Sequence, residues 1–255
     1  MKKNVYISAC DKDEGIYHYK LSVDGSVKFC KKYVLDRPMY AVVSNQKLYV
    51  ILRCPFDNDE SGILHFDIAP DGSLENPSEP VSTGGVVACH LFADNDDVYI
   101  VNYLSGNVMK LPDTIDTHTG SGPDKVRQDM PHTHFVGETP DKKYICVTDL
   151  GLVRIFFYDR GLNQKFSVEV EKSFGARHLA FSADGKYMYC VNEMKSSVSV
   201  FEYKEKDTRL IKTYPAIPSD FKEKNLAAAI RIKDDRLYVS NRGYDSIAVF
   251  KINGA

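Results

Sequence analysis

Hydrophobic and polar positions along this chain follow a pattern that recurs at a nearly constant interval. The pattern is an aromatic residue, two mostly apolar residues and a polar residue, and it is clearest at Tyr99–Asn102, Tyr189–Asn192 and Tyr238–Asn241. Looser copies raise the set to six, with starts at positions 6, 49, 99, 145, 189 and 238, so successive steps are 43 to 50 residues. A repeat of this length indicates one supersecondary unit used several times.

Each repeat predicts short antiparallel strands. In the clearest repeat, the apolar-leaning run Ala176–Phe181 is separated by tight-turn residues from the run Lys186–Val191. Residues Ser197–Tyr203 then alternate in the period of a half-buried strand, and a fourth short strand is expected near Leu210. Repeats of this length with four strands are typical of propeller blades. We therefore predict an all-β fold, a β-propeller of four-stranded antiparallel blades, as one domain over residues 1–255.

The number of blades follows from where the pattern begins and ends. The first repeat begins at the pattern itself, whereas the other five have an apolar run before it. After the last copy the chain continues only through Ser246–Phe250 to Ala255. We expect six sheets, in a seven-bladed plan whose C-terminal blade is missing. An open sheet edge would favour pairing with another chain, so a homodimer is one expectation.

Composition and charge indicate which kinds of partner and which cellular compartment to expect. The net charge of −2 and the lack of a basic aromatic strip disfavour nucleic-acid binding. No run of 18 apolar residues predicts a membrane span, and the apolar stretch Val5–Cys10 is too short for a signal peptide. The six cysteines form no C-x-x-C pair, which fits a reducing compartment. We expect a cytoplasmic protein.

The blade plan predicts where functional side chains gather. In a hairpin the start of the first strand lies beside the end of the second, so residues at these two places in all blades should meet at one mouth of the propeller. The candidates at second-strand ends are Tyr103, Asp149, Glu193 and Arg242, and those at first-strand starts are His90, His132, His134, Arg177 and His178. Charged residues also cap strand ends for structural reasons alone, but their recurrence at equivalent places favours a functional mouth.

Individual candidates allow more than one chemistry. His132 and His134 are two residues apart, a spacing that puts both on one face of a strand and suits a metal or a shared anion, but no third ligand is evident and no metal is predicted. Glu193 beside Arg177 could form a structural salt bridge or serve in proton transfer. His18, His65 and His118 suggest no role. No G-x-S-x-G or P-loop sequence supports serine hydrolase or nucleotide chemistry.

The same residues carry a family resemblance. The chain resembles the lactonase family of seven-bladed propellers, which includes propeller-type 6-phosphogluconolactonases and the carboxymuconate lactonising enzyme. The matching stretches are Cys89–His90, Val101–Gly106, Pro131–His134, Thr139–Asp141, Asp149–Gly151, Arg177–His178, Asp184–Gly185, Val191–Glu193 and Ser240–Ile247. Two departures are Val153, where the family usually has aspartate, and the absence of the family's final-blade text.

The resemblance implies a cytoplasmic enzyme of carbohydrate metabolism, in the pentose phosphate pathway, that opens a lactone without a cofactor. It assigns catalysis to His132 or His134, to Arg177 and to Glu193. Water would attack the ester carbonyl with a histidine or Glu193 as general base. Arg177 would stabilise the oxyanion or bind an anionic group such as a sugar phosphate, with Arg242 as the second candidate for that group.

Two other functions remain open from the sequence. One is an intramolecular lyase that forms a lactone from an unsaturated diacid, which an assay of both substrate types would separate. The other is a non-catalytic propeller that binds a small anion or a protein, for which the signature is ligand binding without turnover.

Overall fold

The computed structural model describes residues 3–253, which form 23 β-strands and their connecting turns. These strands build six antiparallel sheets. The chain divides into two compact units, residues 1–115 and 116–255, and each is described by itself.

The first unit contains two sheets and the inner strands of a third. The sheet orders are β1-β2-β3, then β4-β5-β6 with β7 and β8 both paired to β6, then β9-β10-β11-β12, of which β12 spans the division between the units. The strands are β1 (Lys3–Ala9), β2 (Gly15–Leu21), β3 (Val27–Val34), β4 (Pro38–Ser44), β5 (Lys47–Leu52), β6 (Gly62–Ile68), β7 (Leu74–Glu75), β8 (Val81–Ser82), β9 (Ala88–Asp94), β10 (Asp97–Asn102), β11 (Asn107–Lys110) and β12 (Thr114–Thr117).

The second unit contains three sheets with the orders β13-β14-β15-β16, β17-β18-β19-β20 and β21-β22-β23. The strands are β13 (Thr133–Glu138), β14 (Ile145–Asp149), β15 (Arg154–Tyr158), β16 (Gln164–Glu169), β17 (Ala176–Phe181), β18 (Tyr187–Asn192), β19 (Ser197–Glu202), β20 (Arg209–Pro215), β21 (Leu226–Lys233), β22 (Arg236–Arg242) and β23 (Ser246–Lys251). The fourth strand expected near Leu210 is β20.

The repeated sequence pattern marks the same strand of every sheet. It lies on the second strand of five sheets, namely β5, β10, β14, β18 and β22, while its first copy lies on β1. Within residues 3–253 the first sheet therefore has no strand inside β1, as the sequence predicts. The six expected sheets are confirmed within residues 3–253. The first and last contain three strands there rather than four, because no inner strand precedes β1 and none pairs beyond β23.

The pattern is apolar on consecutive residues because its strand is covered on both faces. On β18, Cys190 is fully buried and packs in a cluster with Phe157 of the preceding sheet. Its neighbours Tyr189 and Val191 point the other way and pack with Val239 of the following sheet. A strand buried on both faces reads as a continuous apolar run instead of an alternating one. The pattern therefore reports stacking of sheet against sheet.

A β-bulge recurs near the start of every inner strand. The register of β4, β9, β13, β17 and β21 against the neighbouring strand shifts there, so that each inner strand contains one extra residue. The extra residue is Met39, Cys89, His134 or Arg177 in the first four strands, and in β21 the pair Ala228–Ala229 lies opposite Ser240 alone. A bulge bends its strand and re-aims side chains, and it is over-represented beside active sites. In the second unit, two of these positions carry predicted catalytic residues.

Candidate active site

The centre of the candidate site is a buried carboxylate contacted by three arginines, all in the second unit. Glu193 follows β18 and is only 4% exposed. Its Oε1 lies 2.5 Å from Nη2 of Arg127. Its Oε2 accepts hydrogen bonds from Nε of Arg177 at 3.0 Å and from Nη2 of Arg242 at 2.7 Å. Three guanidinium groups around one carboxylate leave an excess of two positive charges, so the centre favours an anionic ligand.

Backbone contacts fix Glu193 in this position. Its N–H donates to the carbonyl of Gly175 at 2.8 Å, and its carbonyl accepts the N–H of Ala227 at 3.2 Å. The turn after β18 is thereby tied to the start of its own hairpin and to the next sheet. Arg177 is the bulge residue of β17, and the hydroxyl of Thr148 donates to its carbonyl at 2.7 Å. Both partners of the Arg177–Glu193 pair are therefore held by the backbone.

Two histidines extend the centre. His178 is buried, and its Nε2 lies 3.2 Å from Nη1 of Arg177. Because a guanidinium can only donate, Nε2 of His178 is the acceptor and its proton lies on Nδ1. The rings of His134 and His178 meet edge to face, with centroids 5.4 Å apart. The structure thus connects five predicted residues, which are His134, Arg177, His178, Glu193 and Arg242.

The protonation of this centre follows from burial and charge. Burial alone would raise the pKa of Glu193, but the hydrogen bond from Arg127 and the charges of Arg177 and Arg242 outweigh it and lower the pKa to about 2. Burial, reinforced by the positive charge of Arg177, lowers the pKa of His134 to about 3. At neutral pH Glu193 is therefore ionised and His134 is neutral.

The neutral, buried state of His134 predicts acid sensitivity. Its pKa of about 3 lies below the ordinary value of 6.5, so the unfolded chain binds a proton that the folded chain does not between these limits. Stability should fall as pH drops from 6.5 towards 4, by about 3 kcal/mol from this group. In urea unfolding at stepped pH, His134→Gln should flatten the curve across that window. An unchanged slope in the variant would show that His134 is not the group responsible.

Arg127 is the part of this centre that the sequence did not predict. It lies in a connecting segment, residues 118–132, that has no regular strand before β13. The carboxylate of Asp124 accepts the N–H groups of Val126 and Arg127, each at 3.0 Å, and so forms the turn that aims Arg127. Buried Gln128 donates from Nε2 to the carbonyl of Leu150 at 2.8 Å. An arginine in a polar loop carries no signal by itself, because only the folded segment brings it to Glu193.

Asp149 and His132 lie at the base of the same segment. Asp149 is fully buried, and its Oδ1 accepts the N–H of His132 at 2.9 Å. Its Oδ2 lies 2.6 Å from Nδ1 of His118. The imidazole of His132 has its Nε2 3.6 Å from Oδ1 of Asp129. His118, for which the sequence analysis predicts no role, is therefore a buried partner of a predicted site residue.

The two remaining candidates lie in the first unit. His90 is buried on β9, and its ring centroid lies 4.4 Å from that of Tyr40. Tyr103 follows β10, and its N–H donates to the carbonyl of Val87 at 2.9 Å. Their assignment to substrate binding stays a prediction, as do the roles of the residues around Glu193.

The described residues contain neither a cluster suited to a metal ion nor a helix suited to span a membrane. Across residues 3–253 no group of three or more histidine, cysteine, aspartate or glutamate side chains is arranged to hold a metal ion. Over the same range no helix has the length and apolar character needed to cross a membrane.

Comparison with known proteins identifies the family. Residues 4–255 match the family described as Lactonase, 7-bladed beta-propeller. An uncharacterized protein of Staphylococcus epidermidis is 32% identical over 260 residues, which cover 94% of this chain and 75% of the relative. A solved structure from Lactobacillus plantarum superposes with a TM-score of 0.89 at 27% identity and covers 100% of this chain and 80% of that chain.

A second solved structure carries a functional description. It is a Bacteroides fragilis protein, provisionally described as a 6-phosphogluconolactonase, with a TM-score of 0.85 at 26% identity, covering 98% of this chain and 77% of that chain. The predicted propeller fold class and the predicted resemblance are both confirmed. This chain belongs to the lactonase family of seven-bladed β-propellers.

Proposed function

We propose that this protein hydrolyses a lactone that carries an anionic group, such as a sugar phospholactone, at the Glu193 centre. The observation that carries the proposal is the buried carboxylate of Glu193 with three arginines around it. Membership of the lactonase family and similarity to a protein provisionally described as a 6-phosphogluconolactonase support the reaction class. The excess positive charge supports an anionic substrate.

The pKa values of the residues at this centre indicate which of them can act as the general base. A general base works best when its pKa lies near the operating pH, so Glu193 at about 2 and His134 at about 3 are weak bases. The other histidine of the predicted pair is His132, whose Nε2 lies 3.6 Å from the Asp129 carboxylate. A carboxylate beside a histidine holds the ring in a fixed orientation for proton transfer. We assign the base to His132.

The arginines then bind and stabilise negative charge. Water attacks the lactone carbonyl as His132 takes its proton, and negative charge develops on the carbonyl oxygen. The ring C–O bond then breaks as the carbonyl re-forms, and His132 returns the proton to the leaving ring oxygen. Arg177, whose side chain is 15% exposed, is the donor assigned to this oxygen. Arg242 is 49% exposed, which leaves it accessible to the anionic group of the substrate. Glu193 fixes the relative positions of the arginines by bonding to each.

A paired substrate assay tests this function. Hydrolysis of 6-phosphogluconolactone and of unphosphorylated gluconolactone is measured beside the spontaneous rate, and we expect kcat/KM to be higher for the phosphorylated lactone. Arg242→Met should raise KM for that substrate about 10- to 100-fold, since a charge-assisted hydrogen bond contributes about 1.5–3 kcal/mol. It should change KM for the neutral lactone little. The matched control is Arg236→Met, which removes an exposed arginine of the same strand, beside Asp235.

Three outcomes would contradict the proposal. Turnover of neither lactone above the spontaneous rate would remove the reaction class. Formation of a lactone from an unsaturated diacid without hydrolysis would indicate the lyase reaction instead. An equal loss in the Arg242 and Arg236 variants would show that Arg242 makes no specific contact with the anion.

A further inference from the structure

We propose that Asp149, His118 and Tyr158 form a buried positioning chain that ties together the two ends of segment 118–132 and thereby holds Arg127 against Glu193. The inference rests on the proposed function only for its effect on rate, because the positioning itself can be measured without turnover. None of the three residues is placed in contact with substrate.

The first link is the closure of the segment by one carboxylate. Oδ2 of Asp149 lies 2.6 Å from Nδ1 of His118, the first residue of the segment. Oδ1 accepts the N–H of His132, the last residue, at 2.9 Å. The same Oδ1 accepts the N–H of Leu152 at 2.9 Å, which anchors the carboxylate to its own turn. Both ends of the segment therefore meet at a single fully buried side chain.

The second link is a pair of hydrogen bonds that connects the closed segment to the neighbour of Arg127. Gln128, next to Arg127, bonds through Nε2 to the carbonyl of Leu150, and the N–H of Leu150 donates to the carbonyl of His132 at 2.9 Å. The tip and the end of the segment are thus attached to the turn that follows Asp149. Arg127 therefore has little conformational freedom while His118, the first residue of the segment, stays bound to Asp149. The contact of Arg127 with Glu193 depends on the segment being closed in this way.

The third link is the contact made by the other ring nitrogen of His118, Nε2. Nε2 of His118 lies 2.6 Å from the hydroxyl of Tyr158, which donates to Oδ2 of Asp116 at 2.8 Å. Asp149 and Tyr158 are fully buried, and His118 is 7% exposed. The ring of His118 also packs on Phe156, with centroids 4.1 Å apart. A carboxylate, an imidazole, a phenol and a second carboxylate form one continuous chain.

The phenol of Tyr158 donates its proton to Asp116. Burial together with the nearby Asp116 charge raises the pKa of Tyr158, so the proton stays on oxygen. The phenol oxygen and Oδ2 of Asp149 are the partners of the two ring nitrogens of His118.

Removing the ring of His118 would leave Oδ2 of the fully buried Asp149 carboxylate without this partner. Removing one partner of a buried polar group is strongly unfavourable. The segment would then open at its first residue, and Arg127 would leave Glu193.

Limited proteolysis tests the positioning directly. Trypsin cleaves after Lys125 and Arg127, and we expect His118→Gln and the more conservative Tyr158→Phe to accelerate both cleavages about tenfold or more, as scored by intact mass. The matched control is His18→Gln, at a buried histidine of the first unit whose Nε2 lies 3.0 Å from Asn4. Cleavage at the wild-type rate in folded Tyr158→Phe, or equal acceleration in the control, would overturn the proposal.

Kinetics test the link to Arg127. With a lactone that the wild-type protein hydrolyses, Tyr158→Phe should raise KM in the same direction as Arg127→Met, and the double variant should be no worse than Arg127→Met alone. Additive losses would show that the chain does not act through Arg127. If the wild-type protein hydrolyses no lactone, the proposed function fails, while limited proteolysis still decides the positioning.

Discussion

Replacing Glu193 by glutamine is expected to lower kcat/KM for lactone hydrolysis about 10²- to 10³-fold, the loss typical when one group that orients transition-state donors is removed. Glutamine keeps the size of the side chain but offers no negative charge to three guanidinium groups. The arginines then repel one another and lose their fixed positions. Because Glu193 is buried while Arg127 and Arg242 are partly exposed, the variant should also lose about 2 kcal/mol of unfolding free energy.

The matched control is Glu202→Gln, which removes a carboxylate paired with Lys204 and Arg209 on an exposed part of the same sheet. Surface pairs of this kind contribute little, so neither rate nor stability should change appreciably. Steady-state kinetics and urea unfolding measure both effects. Wild-type activity in folded Glu193→Gln would remove Glu193 from the mechanism.

Replacing Gly151 by alanine is expected to disrupt the base of segment 118–132. A Cβ atom at this position would lie 1.9 Å from the carbonyl oxygen of Met130 and 3.0 Å from the backbone nitrogen of His132. Both contacts are with backbone, so the clash can be relieved only by moving the segment or the turn. We expect a loss of about 3 kcal/mol or more in unfolding free energy, since backbone overlap in a packed region is poorly absorbed.

The control for this substitution is Gly161→Ala, in an exposed turn of the same unit. There an added Cβ would meet only the side chains of Asn163 and Asp159, at 3.2 and 3.4 Å. Its stability should stay within about 1 kcal/mol of wild type, as is usual for surface sites. If chemical unfolding shows equal losses in both variants, the close approach at Gly151 has no special importance.

The fold could be predicted because its signal is repeated. Six copies of one pattern report six sheets, and the burial of Tyr189, Cys190 and Val191 between neighbouring sheets explains why the pattern is apolar throughout. Much of the candidate site could also be predicted, because hairpin geometry places Arg177 beside Glu193 whatever the details of packing. The bulges could not be predicted from periodicity, since they lie near the start of each inner strand, where too few residues precede the extra one to establish an alternation.

Arg127 and His118 escaped prediction for a different reason. Both lie in a segment of polar and turn-forming residues, where sequence period carries no information about tertiary contacts. His118 is buried only because Asp149 and Tyr158 supply partners for both ring nitrogens. Arg127 reaches Glu193 across 66 residues of sequence. Contacts of this kind depend on the closed segment and leave no local pattern.

A crystal structure with an unreactive lactam analogue of an anionic sugar lactone bound would locate the substrate directly. We expect the lactam carbonyl oxygen within hydrogen-bond distance of Arg177 and the anionic group on Arg242, with Arg127 still on Glu193. An analogue bound anywhere else, with the three arginines and Glu193 untouched, would refute the proposed site.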